Sequence, residues 1–194
     1  MNKNEIASFQ TKNKILMVAK QKFIAKGYNN TSLQEIVEEI GLTRGAFYHH
    51  FKNKEEILSE LIRIIQNELA DYVEKTAMQS TDRWEQLIIG CVAFVEKAID
   101  KDTIKILLLD GPSVLSWQEW KRMDTENSES RLKELLLILQ EEGIIKKVHI
   151  DYLTSFISGG LNELAIKLSR SQSFDIAEIE SSIRMMLEGI RKYG

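Results

Sequence analysis

The chain has 194 residues, a net charge of −3 and an apolar fraction of 43%, enough for one domain of ordinary size or a small head on a larger body. One proline and ten glycines disfavour a sandwich or barrel of many turns, and the single cysteine, Cys91, excludes an internal disulfide and suits a reducing compartment. The polar start from Met1 to Gln10 lacks the apolar run of a signal peptide, and no segment approaches the ~18 apolar residues that span a bilayer, so a cytoplasmic protein with no membrane partner is expected.

Charge is unevenly spread. Residues 1–54 carry nine basic side chains against four acidic ones, leaving 17 basic and 25 acidic for the remainder. A basic head on an acidic body marks where a polyanion would sit.

Helical periodicity runs through the chain. Ile15, Val18, Ala19 and Phe23 share one face of a first helix, which Gly27 is expected to end in a left-handed conformation. Thr31-Ser32-Leu33-Gln34 reads as an N-cap with a capping-box partner three residues on. The helix it opens buries Leu33, Ile36, Val37 and Ile40 and stops at Gly41. Only Thr43 to Phe51 remain before the next start signal, Asn53 with Glu56, so the third helix is short. A long amphipathic fourth helix follows through Leu58, Leu61, Ile62, Ile65, Leu69 and Tyr72.

Asp82 with Glu85 marks the next start. Trp84 to Ala98 is apolar nearly all round, as expected at the centre of a bundle. Asp110-Gly111-Pro112 should break or bend the chain. A helix carrying Leu132, Leu135, Leu136 and Leu139 ends at Gly143, and the last two run roughly from Asp151 to Arg170 and from Asp175 to Tyr193, the latter with a box between Asp175 and Glu178. No strand-like alternation is present. The expected fold is all-α: a three-helix, helix-turn-helix head over residues 1–53, its motif about 33–52, and a helical bundle over 54–194.

Two short helices joined by a Gly-containing turn meet the requirement for a helix-turn-helix. The turn is Gly41-Leu42-Thr43. Thr43 can cap the second helix, and Ala46 and Phe47 can pack it on the first. Arg44, Gly45, Tyr48 and His49 then lie on other faces, a basic, small and aromatic set suited to a major groove. Such spacing is only moderately specific by itself.

The residues that fill it are more so. Gly27-Tyr28, Thr31-Ser32-Leu33, Ile36, and the run from Gly41 to Leu58 resemble the DNA-binding head of the TetR/AcrR repressors, and Leu107 to Trp120, with its Asp-Gly-Pro and two tryptophans, is similar to regulatory domains of a subset of them. The resemblance implies a homodimer that binds double-stranded operator DNA. It implies phosphate contacts from Thr31, Ser32, Lys52 and Lys54, groove contacts from Thr43, Arg44 and Gly45, and contacts from Tyr48 and His49 to phosphate or base edges. Arg44 would be the reader of guanine. His50 reads as structural or solvated.

The resemblance also implies that the body dimerises and takes a small apolar or aromatic effector. Phe156, Ile157, Gly160, Leu161, Leu164 and Ala165 form one apolar stripe, and Ile176, Ile179, Ile183, Met186, Leu187 and Ile190 another. These stripes could pair across a two-fold axis or pack on the chain's own core. Trp84, Phe94, Trp117, Trp120, Met123 and Tyr152 could line the effector cavity or fill the core. Cys91 reads as a buried, inert thiol and His149 as a loop or cap residue. Effector binding would shift the helix around Thr103 to Leu109 and, through the fourth helix, the spacing of the two heads.

Against these stand an enzyme and a helical adaptor. There is no Gly-rich phosphate loop, HExxH or CxxC, and no cofactor is implied. An adaptor would lack the phosphate-contacting set. Whether regulation is negative or positive depends on operator position.

Overall fold

The computed structural model describes residues 2–124 and 129–193, and every regular element among them is a helix. α1 (Lys3–Lys26) starts at an Asn2–Glu5 capping box and buries Ile15, Leu16, Val18, Ala19 and Phe23. Gly27 ends it with φ 86° but ψ 156°. That is an extended, essentially glycine-only conformation rather than the expected left-handed turn.

α2 (Leu33–Ile40) is capped one residue later than expected, by Ser32 with Glu35. The Thr31 hydroxyl is already committed, donating to the Gly27 carbonyl at 2.9 Å, so the next hydroxyl takes the cap. Gly41 (φ 73°, ψ 29°) turns the chain into α3 (Arg44–Tyr48). α4 (Lys54–Ala77) and α5 (Arg83–Ala98) pack along one another, and α5 is buried on most sides.

The chain does not break at Gly111-Pro112. After the single turn of α6 (Lys101–Thr103), a π-helical segment (Ile104–Asp110) leads directly into α7 (Gly111–Val114), and the helical path ends only at Leu115. α8 (Trp117–Asp124), α9 (Ser130–Glu141), α10 (Ile150–Ser169) and α11 (Ile176–Glu188) complete the body. α11 is shorter than its sequence pattern suggests. Its C-terminal tail folds back instead, with Lys146 N–H donating to the Ile190 carbonyl at 2.8 Å and Lys192 N–H to Ile144 at 2.9 Å around an antiparallel bridge, Ile145 with Arg191. Asp175 caps α11 through the Ala177 amide, not through a box with Glu178.

The buried apolar residues form two clusters. One joins α1, α2 and α3 to α4 from Ile57 to Leu69, the π-helical segment, Leu115, Trp120 and Met123, and reaches Ala98 of α5 and Ala165 of α10. The other joins α5, α9, α10 and α11. The core of the head thus continues into the body, along α4 and the π-helical segment. Phe94 and Ile99 pack against both clusters.

Candidate nucleic-acid interface

α3 has five residues, too few to be stable alone, so its pose is set by contacts. Phe47 is fully buried among Ile36, Val37 and Ile40 and holds the helix down. The Thr43 hydroxyl accepts from the Ala46 amide at 3.2 Å and fixes where it starts. With Phe47 inward, Thr43, Arg44, Gly45, Tyr48 and His49 are exposed. Tyr48 stands edge-on to Phe47, with ring centroids 5.7 Å apart.

Arg44 is pre-oriented. Its Nε donates to Gln34 Oε1 at 3.2 Å, its Nη2 donates to the same oxygen, and Gln34 Nε2 donates on to Glu38 at 2.6 Å. A guanidinium carries five N–H donors, so this clamp leaves three for a ligand. Gln34 is the capping-box partner expected of Thr31, but Glu35 takes that role with Ser32 and Gln34 holds Arg44 instead.

The remaining predicted phosphate contacts divide sharply. Ser32 and Lys52 are exposed, although the amide N–H of Ser32 already donates to Glu35 at 3.0 Å and that of Lys52 to Glu56 at 2.6 Å. The hydrogen bond from Lys26, with the Ser32 amide, holds the Glu35 carboxyl down to about 2. Thr31 is 1% exposed and faces inward. Lys54 also turns inward: its Nζ donates to the Tyr28 carbonyl at 2.7 Å and the Thr31 carbonyl at 2.8 Å, and lies 4.0 Å from the Tyr28 ring centroid. Desolvation lowers its pKa. Thr31 and Lys54 therefore build the loop that presents Ser32.

Behind the head, a cavity of 380 Å³ opens between the second half of α4, α5, α9 and α10. Its walls include Leu69, Ala70, Val73, Ala77, Gly90, Cys91, Phe94, Leu132, Leu135 and Leu161, with Glu74, Arg83, Glu129 and Arg131 among the polar residues. Of the six residues expected there, only Phe94 lines it. Trp84, Trp120 and Met123 are buried in the two cores, while Trp117 and Tyr152 are largely exposed. Burial pushes the Cys91 thiol up to about 12, so it is protonated and unreactive at neutral pH.

The two stripes of α10 and α11 also divide. Leu161, Ile179, Ile183 and Leu187 are buried in the chain's own core, and Leu164 and Ile190 are half-buried against it. Phe156, Gly160 and Met186 are exposed, as are Tyr152 and Met185 beside them, with Phe156 at 76% and Met186 at 70%.

A threonine-capped short helix, set by a left-handed glycine turn against a second helix and backed by a long helical body, defines a helix-turn-helix DNA-binding regulator. Residues 15–61 match the bacterial regulatory proteins of the tetR family, and residues 84–190 match the tetracyclin repressor-like C-terminal domain. The chain belongs to the TetR family: it is a transcriptional regulator and not an enzyme.

The Tn10 TetC protein of Escherichia coli is 28% identical over 144 residues, which cover 74% of this chain and 73% of that protein. A TetR-family transcriptional regulator from Pectobacterium atrosepticum superposes with a TM-score of 0.76 at 25% identity, over 100% of this chain and 99% of its own. FadR of Bacillus subtilis, solved in complex with stearoyl-CoA, shares the fold with a TM-score of 0.76 at 19% identity, covering 90% and 96% of the two chains. No described helix is long and apolar enough to cross a membrane.

Proposed function

We propose that the chain is a cytoplasmic homodimeric repressor that reads its operator with the outward face of α3 and leaves it when a small apolar or aromatic effector fills the 380 Å³ cavity. In this reading Arg44 contacts guanine, Thr43, Gly45, Tyr48 and His49 line the groove contact, and Ser32 and Lys52 meet phosphate. Residues 1–53 form the DNA-binding unit and 54–194 the regulatory and dimerisation unit, with the start of α4 shared between their cores. Phe156, Gly160 and Met186, joined by Tyr152 and Met185, form the exposed part of the dimer surface. Tyr152, Phe156 and Gly160 follow one another at i, i+4 and i+8 and so lie on one face of α10.

The observation that carries the reading is Gly45. It is the second residue of α3, where glycine is a weaker helix former than alanine, and a Cβ built on it would meet nothing within 4 Å. The fold has no use for a glycine there. A ligand that brings its own backbone or bases against the helix does.

Fluorescence anisotropy on DNA flanking the gene, against scrambled DNA at several salt concentrations, tests this. A dimer touching about six to ten phosphates gives a log K that falls by about 0.9 per phosphate for each log unit of salt, with a clear preference for one sequence. Weak, salt-insensitive and equal binding to both DNAs would overturn the reading.

A further inference from the structure

The π-helical segment has an unusual defect and an unusual repair. In its i→i+5 register the Gly111 amide donates to the Ile106 carbonyl. The next donor in that ladder, at position 112, is missing because Pro112 has no N–H, so the Leu107 carbonyl loses its backbone partner. The Trp120 indole N–H fills the vacancy, donating to Leu107 O at 3.2 Å in a buried setting. In an α-helical register Leu107 would instead accept from Gly111, and the Leu108 carbonyl would be the orphan. The indole hydrogen bond therefore favours one register over the other.

That register matters to the head. Ile106, Leu107 and Leu108 are buried in the cluster that contains α1 and α4 from Ile57 to Leu69. A Cβ on Gly111 would stand 3.0 Å from Ile62 of α4 and 3.2 Å from Trp120, so the turn of the π helix is pressed against both. Lys105 pairs with Asp110 at 3.5 Å, an i,i+5 spacing, and its Nζ lies 3.8 Å from where a Cβ of Gly27 would be, at the C-terminal end of α1. A rotation of this segment would move its contacts to both helices that carry the DNA-binding unit.

We propose that Trp120 is a positioning residue for DNA binding: its indole N–H latches the π register of 104–110 and, through Ile62 and Lys105, sets the pose of the head. The test is a double-mutant cycle of Trp120→Phe and Pro112→Ala. Trp120→Phe keeps an aromatic ring and removes the donor; Pro112→Ala returns a backbone donor, which serves Leu107 in the π register and Leu108 in the α register, so that no carbonyl is left to depend on the indole. Two readouts are taken on the full chain: amide exchange of residues 104–115 without DNA, and operator affinity by anisotropy.

Trp120→Phe should speed exchange in the segment and weaken operator binding by about 5–10-fold, at the low end of allosteric coupling. In the Pro112→Ala background both effects should shrink to within about 2-fold. A merely structural tryptophan would lower the melting temperature equally in both backgrounds and leave the affinity of the folded protein unchanged. Equal losses in the two backgrounds, or exchange unaffected by Trp120→Phe, would overturn the latch. Faster exchange with unchanged affinity would overturn its role in positioning the head. If Trp120→Phe does not fold, recovery of folding by Pro112→Ala supports the latch and failure to recover sinks it.

Discussion

The proposed DNA-binding face and the cavity are built by opposite means. The face is local: α2, the Gly41 turn and α3 lie within sixteen residues, Leu33 to Tyr48, and side chains become functional candidates by being left outside once Phe47 is buried. The cavity is assembled from four helices spread from Leu69 to Leu161, and its walls mix large side chains such as Phe94 and Leu135 with small ones. Large aromatic side chains bury 150–250 Å² each and tend to fill space, so Trp84 and Trp120 sit in the cores. Gly90, Ala70, Ala77 and Cys91 border the void. The face is marked by what adjacent residues leave exposed, the cavity by which distant residues the helices bring together.

The largest expected effect on DNA binding falls on the local face. Arg44→Ala should cost about 1–3 kcal/mol of operator affinity and relax sequence preference, with no change in melting temperature. Gln34→Ala should weaken the same contact by less, because it frees the guanidinium without removing it. Anisotropy on the operator and on single-base variants measures both. If Arg44→Ala instead weakens all sequences alike, Arg44 is a phosphate contact and base reading lies elsewhere on α3.

Next come two lysines, two residues apart, that the structure separates. Lys54→Met loses two charge-assisted bonds, to Tyr28 and Thr31, and should destabilise the head by about 2–3 kcal/mol. Lys52→Met should leave the melting temperature alone and flatten the salt slope by about one per subunit. Thermal unfolding and salt-dependent anisotropy on each variant check this, and interchanged results would restore Lys54 to the phosphate backbone.

That contrast shows where the sequence was legible. Helix starts at Asp82 and Asn53 and the turns at Gly41 and Gly143 were readable, because capping and left-handed glycine are chemistry of a few adjacent residues. The inward turn of Lys54 was not, since it depends on carbonyls 23 and 26 residues away. Thr31 shows the same limit at short range: the Gly27 carbonyl took its hydroxyl, and the cap moved to Ser32. The π register was out of reach because Pro112 announces a fault without saying which carbonyl loses its donor. The split of the α10 and α11 stripes into buried and exposed halves follows from which way each helix is rolled, which periodicity alone does not fix.

A smaller effect tests the cavity. A Cβ on Gly90 would lie 3.6 Å from Val73 and 3.7 Å from Ala77, ordinary contact distances. Gly90→Ala should therefore stabilise α5 by about 0.5–1 kcal/mol while taking space from the cavity. Operator affinity without effector should be unchanged, and any compound that releases the protein should need a higher concentration. A stabilised variant with an undiminished response would mean that the effector sits elsewhere.

The smallest effect concerns how the two regions are tied to α4 and α5 by charge. Glu60 accepts from Arg63 at 3.0 Å and from Lys12 of α1 at 2.7 Å, and these bonds, Arg63 first, hold its pKa down to about 2. In the unfolded chain a glutamate titrates near 4.3. Its folded value is depressed, so its contribution is present above about pH 4.3 and is lost as pH falls toward 2. Glu85 is lowered in the same direction by Arg184 of α11, but its side chain is more exposed, 37% against 19% for Glu60, and solvent screening leaves it the weaker tie. Urea unfolding at several pH values between 7 and 2 should show a shallower acid limb for Glu60→Gln than for the unsubstituted chain, with Glu85→Gln between them. The reverse order would place the acid-sensitive contact in the body instead of where α1 meets α4, and the head would be the more acid-resistant of the two regions.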